Sequence, residues 1–218
     1  MSAATETVDA PAIRSARPND NAALLALRNH YVANSTATFD EQLLTADDIA
    51  SWMRGFADTG RYRLLVAERE GKILGFASSQ SYRAHPAFRL TVETSIYVDP
   101  GCAGGGVGSR LYAALFGAIK DEALHRALVG IALPNEASVR LHRKLGFTDV
   151  GRFDEYAIKG REFISSAWMQ LKLPFAALER TSDQSASLID FMQASPYSGA
   201  HEPLVLERDG SLTRDLDL

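Results

Sequence analysis

A glycine-rich loop stands between a predicted strand and a predicted helix, in the stretch VDPGCAGGGVGSRLYAALFGAIK at residues 98–120. Five glycines fall within residues 101–108, and an apolar helical periodicity begins at Leu111. Backbone N–H groups at a helix start bind anions, because they have no partners within the helix and the helix dipole adds to their charge. The stretch therefore predicts either a site for a phosphate-bearing ligand or a flexible turn that gives the helix room.

The loop matches neither of the two best-defined phosphate-binding motifs. A dinucleotide fingerprint requires G-x-G-x-x-G, but counting from Gly104 puts Ser109 at the last position. A P-loop requires Lys and then Ser or Thr after its second glycine, where this chain has Val107 and Gly108. A pyrophosphate held on the N–H groups of residues 104–108 stays open, and the neighbouring segments must decide.

Two further segments carry polar side chains beside apolar positions. The helix predicted to follow Asn135 places Ser138 and His142 on the face of Asn135, because residues spaced i, i+3 and i+7 share a helix face. Glu93 lies in the β-rich strand 91–98, where its charge opposes a nearby phosphate unless it has a role of its own. The helix face predicts a ligand groove. A structural histidine and a solvent-facing glutamate fit the same two patterns.

The elements that position these residues follow from hydrophobic periodicity and from turn and capping residues. The sequence predicts strands at 12–17, 91–98 and 127–133, and hairpins that turn at Gly71-Lys72 and Lys159-Gly160. Helices are predicted from Pro18 to about Ala33, from Thr45 to near Gly60, from about Gly106 to Leu124 and from Asn135 to Gly146. This order predicts a mixed α/β fold and not a regular βαβ repeat.

Composition predicts one soluble domain followed by an acidic extension. The 218 residues are 46% hydrophobic with a net charge of −4, which argues against a broad nucleic-acid-binding surface. We see no apolar run of the roughly 18 residues that a membrane helix needs, and no secretory signal. The single Cys102 cannot form an internal disulfide, so we expect a cytoplasmic protein. No histidine pair or cysteine partner has metal-ligand spacing, so we expect no metal.

Charge divides the chain at Pro174. Residues 174–218 hold eight acidic and three basic residues, a net −5, against a net +1 for the 173 residues before them. We therefore expect an N-terminal arm at 1–11, a domain at 12–173, a linker at 174–187 and a separate tail at 188–218.

Several of these motifs occur together in one known family. The segments V-D-P-x-x-x-G-G-G-V-G-S-x-L and L-P-N-E-A-S-V-R-L-H-R-K-L-G-F resemble the GCN5-related N-acetyltransferases, and more narrowly the phosphinothricin and methionine sulfoximine acetyltransferase branch. Supporting segments are RNHYVANSTATF, VETSIYV and SSAWMQLKL, so the resemblance covers about residues 12–173. It implies a mixed, mostly antiparallel central sheet flanked by helices, with acetyl-CoA between strands 91–98 and 127–133. We also expect a homodimer.

The resemblance also implies how acetyl-CoA is bound, with its pyrophosphate on the glycine loop. The residues that it assigns to the cofactor are Ile96, Val98, Gly104, Gly105, Gly106, Val107, Gly108, Ser109, Asn135 and Ser138. Ala103 departs from the family pattern, which has Gln or Arg there, so one side-chain contact to the pyrophosphate is lost. We expect weaker binding in consequence, with Arg110 as a possible compensation.

The chemistry needs a base, because an ammonium has no lone pair with which to attack a thioester. A carboxylate whose pKa is raised by partial burial is suited to that task, and the resemblance assigns it to Glu93. The resemblance also implies that the N–H near Val98 is the oxyanion donor. His142 is the expected acid for the leaving thiolate, with Tyr97 as a competing donor.

For the acceptor, the resemblance points to residues on two loops. They are Thr36, Phe39, Arg83, His85 and Phe88. Arg83 matches a basic position that binds the carboxylate of a small amino acid. His85 and Phe88 stand where the phosphinothricin enzymes have Arg and Tyr, which puts phosphinothricin itself in doubt. A methionine sulfone or sulfoximine, or another small primary amine, fits as well.

Two other functions stay open at this point. The same fold serves protein N-terminal acetyltransferases, which a wide acidic peptide groove would favour. Residues 188–218 resemble the toxin-binding tail of prevent-host-death type antitoxins, so a binding module that captures a toxin protein is the third possibility.

Overall fold

The computed structural model describes residues 10–174, which form a seven-stranded sheet with helices on both faces. The strands are β1 (Ala12–Ser15), β2 (Leu64–Arg69), β3 (Lys72–Ser81), β4 (Thr91–Val98), β5 (Arg126–Ala132), β6 (Thr148–Lys159) and β7 (Glu162–Lys172). The helices are α1 (Asn21–Asn34), α2 (Ala46–Met53), α3 (Val107–Ala118) and α4 (Glu136–Lys144). The predicted tail at 188–218 and almost all of the predicted arm and linker lie outside the described residues.

The strand order in the sheet is β1-β2-β3-β4-β5-β7-β6. Of the neighbouring pairs in the described chain, only β4 and β5 run parallel, and all the others are antiparallel. The predicted order of strands and helices and the predicted mixed, mostly antiparallel sheet are therefore confirmed.

Side chains that alternate along β2 pack against different helices on the two faces of the sheet. Leu64 and Val66 pack with α1 and α2 in one core cluster, whereas Leu65 and Ala67 pack with α3 in another. Successive side chains of a strand point to opposite faces, so a continuous apolar run such as LLVA is buried on both sides. A third cluster joins α3, α4, β5 and β7.

Local capping fixes where two helices begin. Thr45 and Asp48 form a capping box at α2, in which the Thr45 hydroxyl accepts the Asp48 N–H at 3.2 Å and the Asp48 carboxylate accepts the Thr45 N–H at 2.8 Å. At α4, the side-chain oxygen of Asn135 accepts the Ser138 N–H at 3.1 Å. Thr45 and Asn135 are the residues at which these two helices were predicted to begin.

Three predicted boundaries extend too far. β1 ends at Ser15 because the Arg17 N–H binds the Asp20 carboxylate. α2 ends at Met53 and not near Gly60. α3 ends at Ala118 and not at Leu124, because the chain must turn back to enter β5, and the His125 N–H already bonds to the Leu90 carbonyl.

Candidate active site

The candidate site is a cavity that opens where the two parallel strands separate. β4 and β5 pair only from Thr91↔Arg126 to Glu93↔Leu128. Beyond that point residues 94–98 of β4 and 129–132 of β5 line opposite sides of a cavity of about 500 Å³. A volume of this size lies within the usual range for small-molecule and cofactor sites.

The glycine loop forms one end of this cavity. Gly104 and Gly106 have positive φ angles of 81° and 77°, a backbone conformation that glycine adopts without strain. Gly106 is the N-cap of α3, so the first N–H groups of the helix are free of helical partners and are available to an anion. Of the predicted loop residues, all except Gly105 line the cavity: Gly104, Gly106, Val107, Gly108 and Ser109.

Gly108 has a packing role in addition to its place in the lining. A Cβ atom at this position would lie 3.0 Å from Leu141 Cδ2 and 3.4 Å from Ile96 Cδ1. The missing side chain therefore lets α3 approach both α4 and β4, which brings the loop against the cavity.

Helix α4 supplies a second wall. Asn135 and Ser138 both line the cavity, as predicted from their shared helix face. Arg140 and Lys144 line it as well, although the sequence analysis did not select them. Arg110, the predicted compensation for Ala103, is exposed and is not among the lining residues of the described chain. Among the described residues, the cations that line the cavity thus come from α4, and their spacing of four residues was the available signal.

Glu93 lies at the opposite end of the cavity from the glycine loop. It is the last residue of β4 that pairs with β5, and its side chain is half-buried. Burial raises the pKa of the Glu93 carboxyl, because the low-dielectric surroundings disfavour the charged form. A carboxylate with a raised pKa in a cavity is suited to accept a proton.

His142 also lines the cavity, but both of its ring nitrogens are engaged. Nδ1 lies 2.8 Å from the Ser138 carbonyl oxygen, which can only accept, so Nδ1 carries the proton. Nε2 then accepts the Tyr112 hydroxyl at 2.9 Å. The side chain is fully buried, and burial lowers its pKa, which favours the neutral ring. This arrangement does not present a free N–H to a leaving thiolate, contrary to the role expected for His142 as an acid.

Two tyrosines close the cavity on the side of α1. The Tyr31 hydroxyl donates to the Val98 carbonyl at 2.6 Å, and the Tyr97 hydroxyl donates to the Ala37 carbonyl at 3.2 Å. Burial raises the pKa of both phenols. Tyr31 and Ala37 line the cavity although the sequence analysis did not select them; only their place in the segment RNHYVANSTATF pointed to them.

The five residues predicted for the acceptor are not among the cavity lining of the described chain. Arg83, His85 and Phe88 lie on the loop that follows β3, where the Arg83 guanidinium stacks 5.1 Å from Tyr82 and 5.6 Å from Phe88. His85 Nδ1 accepts the Ala87 N–H. This loop extends from the Glu93 end of the sheet, since Gln80 pairs with Glu93.

Thr36 and Phe39 lie on the loop between α1 and α2. They flank Ala37, which is in the lining. Phe39 makes an edge contact with Tyr156 of β6 at 6.0 Å between ring centroids.

Comparison with known proteins agrees with this geometry. The model of the acetyltransferase (GNAT) family matches residues 24–147. The chain belongs to this family. It is therefore an N-acetyltransferase, and the glycine loop and the separated strands occupy the positions that the resemblance implied.

Among relatives of the GNAT chain, the phosphinothricin N-acetyltransferase of Streptomyces coelicolor is 46% identical over 149 residues, which cover 67% of this chain and 87% of the relative. The L-methionine sulfoximine/L-methionine sulfone acetyltransferase of Salmonella typhimurium is 34% identical, with 74% and 94% covered. The crystal structure of a GNAT superfamily phosphinothricin acetyltransferase from Sinorhizobium meliloti, in complex with acetyl-CoA, is 27% identical with a TM-score of 0.73 and covers 84% of this chain and 97% of its own.

Two searches of the described residues concern other partners. None of the helices there is both long and apolar enough to cross a membrane. Within residues 10–174, no group of three or more His, Cys, Asp or Glu side chains is placed to hold a metal ion.

Proposed function

We propose that this N-acetyltransferase transfers the acetyl group of acetyl-CoA to the primary amine of a small amino acid or analogue, of the methionine sulfone, methionine sulfoximine or phosphinothricin type. The observation that carries the proposal is one cavity with the glycine loop at one end and a half-buried carboxylate at the other. The names of the relatives above supply the acceptor class.

Acetyl-CoA fits the cavity by the chemistry of its walls. Its phosphates would meet the N–H groups at the start of α3, with Arg140 and Lys144 of α4 as neighbouring cations. Its pantetheine amides would meet the backbone groups of residues 94–98, which β5 no longer pairs. Ala103 lines the cavity without a polar side chain, and these cations replace the contact that it lacks.

Glu93 would take a proton from the acceptor ammonium, directly or through water. The free amine then attacks the thioester carbonyl. As the amide forms, its nitrogen releases a second proton to solvent and the carbon–sulfur bond breaks. The departing thiolate is a good leaving group and takes its proton from water, because the His142 ring and the Tyr97 hydroxyl are already engaged.

A thiol-release assay with acetyl-CoA tests the proposal. The panel includes L-methionine sulfone, L-methionine sulfoximine, phosphinothricin, unmodified amino acids and short peptides, with Glu93→Gln as the control for enzymatic turnover. We expect turnover of small amino-acid analogues. Turnover of peptides alone would refute this acceptor class and support a protein N-terminal acetyltransferase.

We also propose that the protein resides in a reducing cytoplasm, because Cys102 has no cysteine partner in the sequence. We further propose that it forms a homodimer. Five large apolar side chains are exposed on β6 and β7: Val150, Phe153, Tyr156, Ile158 and Phe163. Such a group on a surface is typical of a protein contact, and a second copy of the chain is the partner that we assign to it. Light scattering of Phe163→Asp should show a monomer; a wild-type monomer would refute the assignment.

A further inference from the structure

The turn between β6 and β7 contacts the loop between α1 and α2, although more than 115 residues separate them in sequence. The Lys159 ammonium donates to the carbonyl oxygens of Val32, Ser35 and Thr38 at 2.8, 2.7 and 3.1 Å. Beside it, the Gly160 N–H donates to the Glu41 carboxylate at 2.6 Å. An ammonium has three donors and no acceptor, so these three carbonyls use the full capacity of Lys159.

The contacts are strong for a physical reason. Val32 is in the last turn of α1, where carbonyl groups have no helical partner and the helix dipole is negative. A cation placed there both satisfies the carbonyl and interacts favourably with the dipole. Ser35 and Thr38 add their carbonyls after the helix has ended, so Lys159 holds the chain as it leaves α1.

The three carbonyls bracket Ala37, a residue of the cavity wall. Ala37 lines the cavity, and its carbonyl accepts the Tyr97 hydroxyl. Tyr97, Ser95 and Glu93 alternate along β4 and therefore lie on the same face of the sheet. The loop held by Lys159 thus lies on the α1 side of the sheet, the face on which the side chain of Glu93 also lies, whereas α3, which the glycine loop precedes, packs on the opposite face.

We infer that Lys159 is a positioning residue, which holds loop 35–40 as the wall on the acceptor side of the cavity. This inference rests on the proposed function for the identity of the acceptor. Without Lys159, the loop occupies its closed position in only a fraction of the molecules, and the apparent affinity for the acceptor falls by that fraction. Acetyl-CoA, bound mainly by the glycine loop and α4, does not depend on this wall.

Steady-state kinetics of Lys159→Met with L-methionine sulfone and acetyl-CoA tests the inference. We expect the acceptor KM to rise by about tenfold, for a loop that is closed in about a tenth of the molecules, with kcat and the KM for acetyl-CoA within about twofold of wild type. Lys159→Arg, which keeps the charge, should recover part of the affinity. Arg161→Met is the matched control, because it removes an exposed cation two residues along the same turn.

Equal increases in KM for the acceptor and for acetyl-CoA, or an unchanged acceptor KM, would overturn the inference. Hydrogen exchange separates it from the proposed function: the amides of residues 35–40 should exchange at least tenfold faster in Lys159→Met, whatever the acceptor is. If Lys159→Met does not fold, Glu41→Ala loosens the same contact without leaving the three carbonyls that Lys159 holds unpaired, and it should give a smaller rise in the acceptor KM. Unchanged exchange in a folded variant refutes the role of Lys159.

Discussion

Replacing Glu93 by Gln separates proton transfer from cofactor binding. The substitution keeps the shape of the side chain and removes its negative charge and its ability to accept a proton. If Glu93 is the general base, kcat/KM should fall by about 10²- to 10⁴-fold, the usual contribution of such a group. Acetyl-CoA affinity should stay unchanged.

The expected lack of effect on acetyl-CoA affinity follows from the distance between Glu93 and the glycine loop. Glu93 is five residues before Val98, the end of β4, which corresponds to ~17 Å at about 3.3 Å per residue. The glycine loop begins beyond that point, and at physiological ionic strength charges are screened over about 8 Å. We therefore expect the Glu93 charge to have little effect on the proposed binding of phosphates at the loop.

The pH dependence gives a sharper test. Burial raises the pKa of Glu93, so the acid limb of kcat/KM should lie above the ordinary glutamate pKa of about 4.3. In Glu93→Gln this acid limb of the pH profile should vanish, so that only the limb caused by titration of the acceptor amine remains. Because the folded-state pKa is raised, the ionised carboxylate costs the native state stability above that pKa. Glu93→Gln should therefore melt higher than wild type at pH 8, and the difference should vanish below the unfolded pKa.

Isothermal titration with coenzyme A measures the cofactor affinity, and thiol-release assays from pH 5 to 9 measure kcat/KM. Melting curves at pH 4 and pH 8 measure the stability difference. The reasoning is refuted if Glu93→Gln retains near-wild-type kcat/KM across that range. A loss of coenzyme A affinity that matches the loss of rate would instead assign Glu93 to binding.

Three further predictions concern the loop, the buried histidine and the tail. Gly106→Asp should weaken coenzyme A binding by at least about tenfold in calorimetry, because it adds a negative charge at the proposed anion site and a φ of 77° is strained for Asp. Gly117→Asp, at an open position of α3, is the control and should leave the affinity unchanged. Tyr112→Phe leaves the buried Nε2 of His142 without its hydrogen-bond donor, so thermal melting should show that the free energy of unfolding falls by about 1–3 kcal/mol while kcat is unchanged. A large fall in kcat would instead indicate that His142 takes part in catalysis. A chain that ends at Leu173 should keep wild-type kcat, since the tail is expected to be an interaction segment for a toxin protein; a fall in kcat would place it in the enzyme.

Local sequence determined the elements and one end of the site. Alternating and continuous apolar runs, Asn135 and Thr45 as caps, and glycines where the chain turns specify strands and helices through interactions within a few residues. The glycine loop before α3 was recognisable for the same reason, because the proposed anion binding there would use the backbone of one continuous segment. Helix ends were less predictable, since α3 stops where the path into β5 requires a turn.

Tertiary structure decided what these segments do together. The cavity exists because β4 and β5 separate after Glu93, which no local pattern records. The environment of His142 depends on Tyr112, 30 residues away in the chain, which engages the nitrogen that a helix-face argument left free. Lys159 reads as a turn residue in sequence, yet it holds three carbonyls from the end of α1 and the loop after it. Charge, burial and hydrogen bonding at these positions are set by residues distant in sequence, so they become definite only when the sheet brings the segments together.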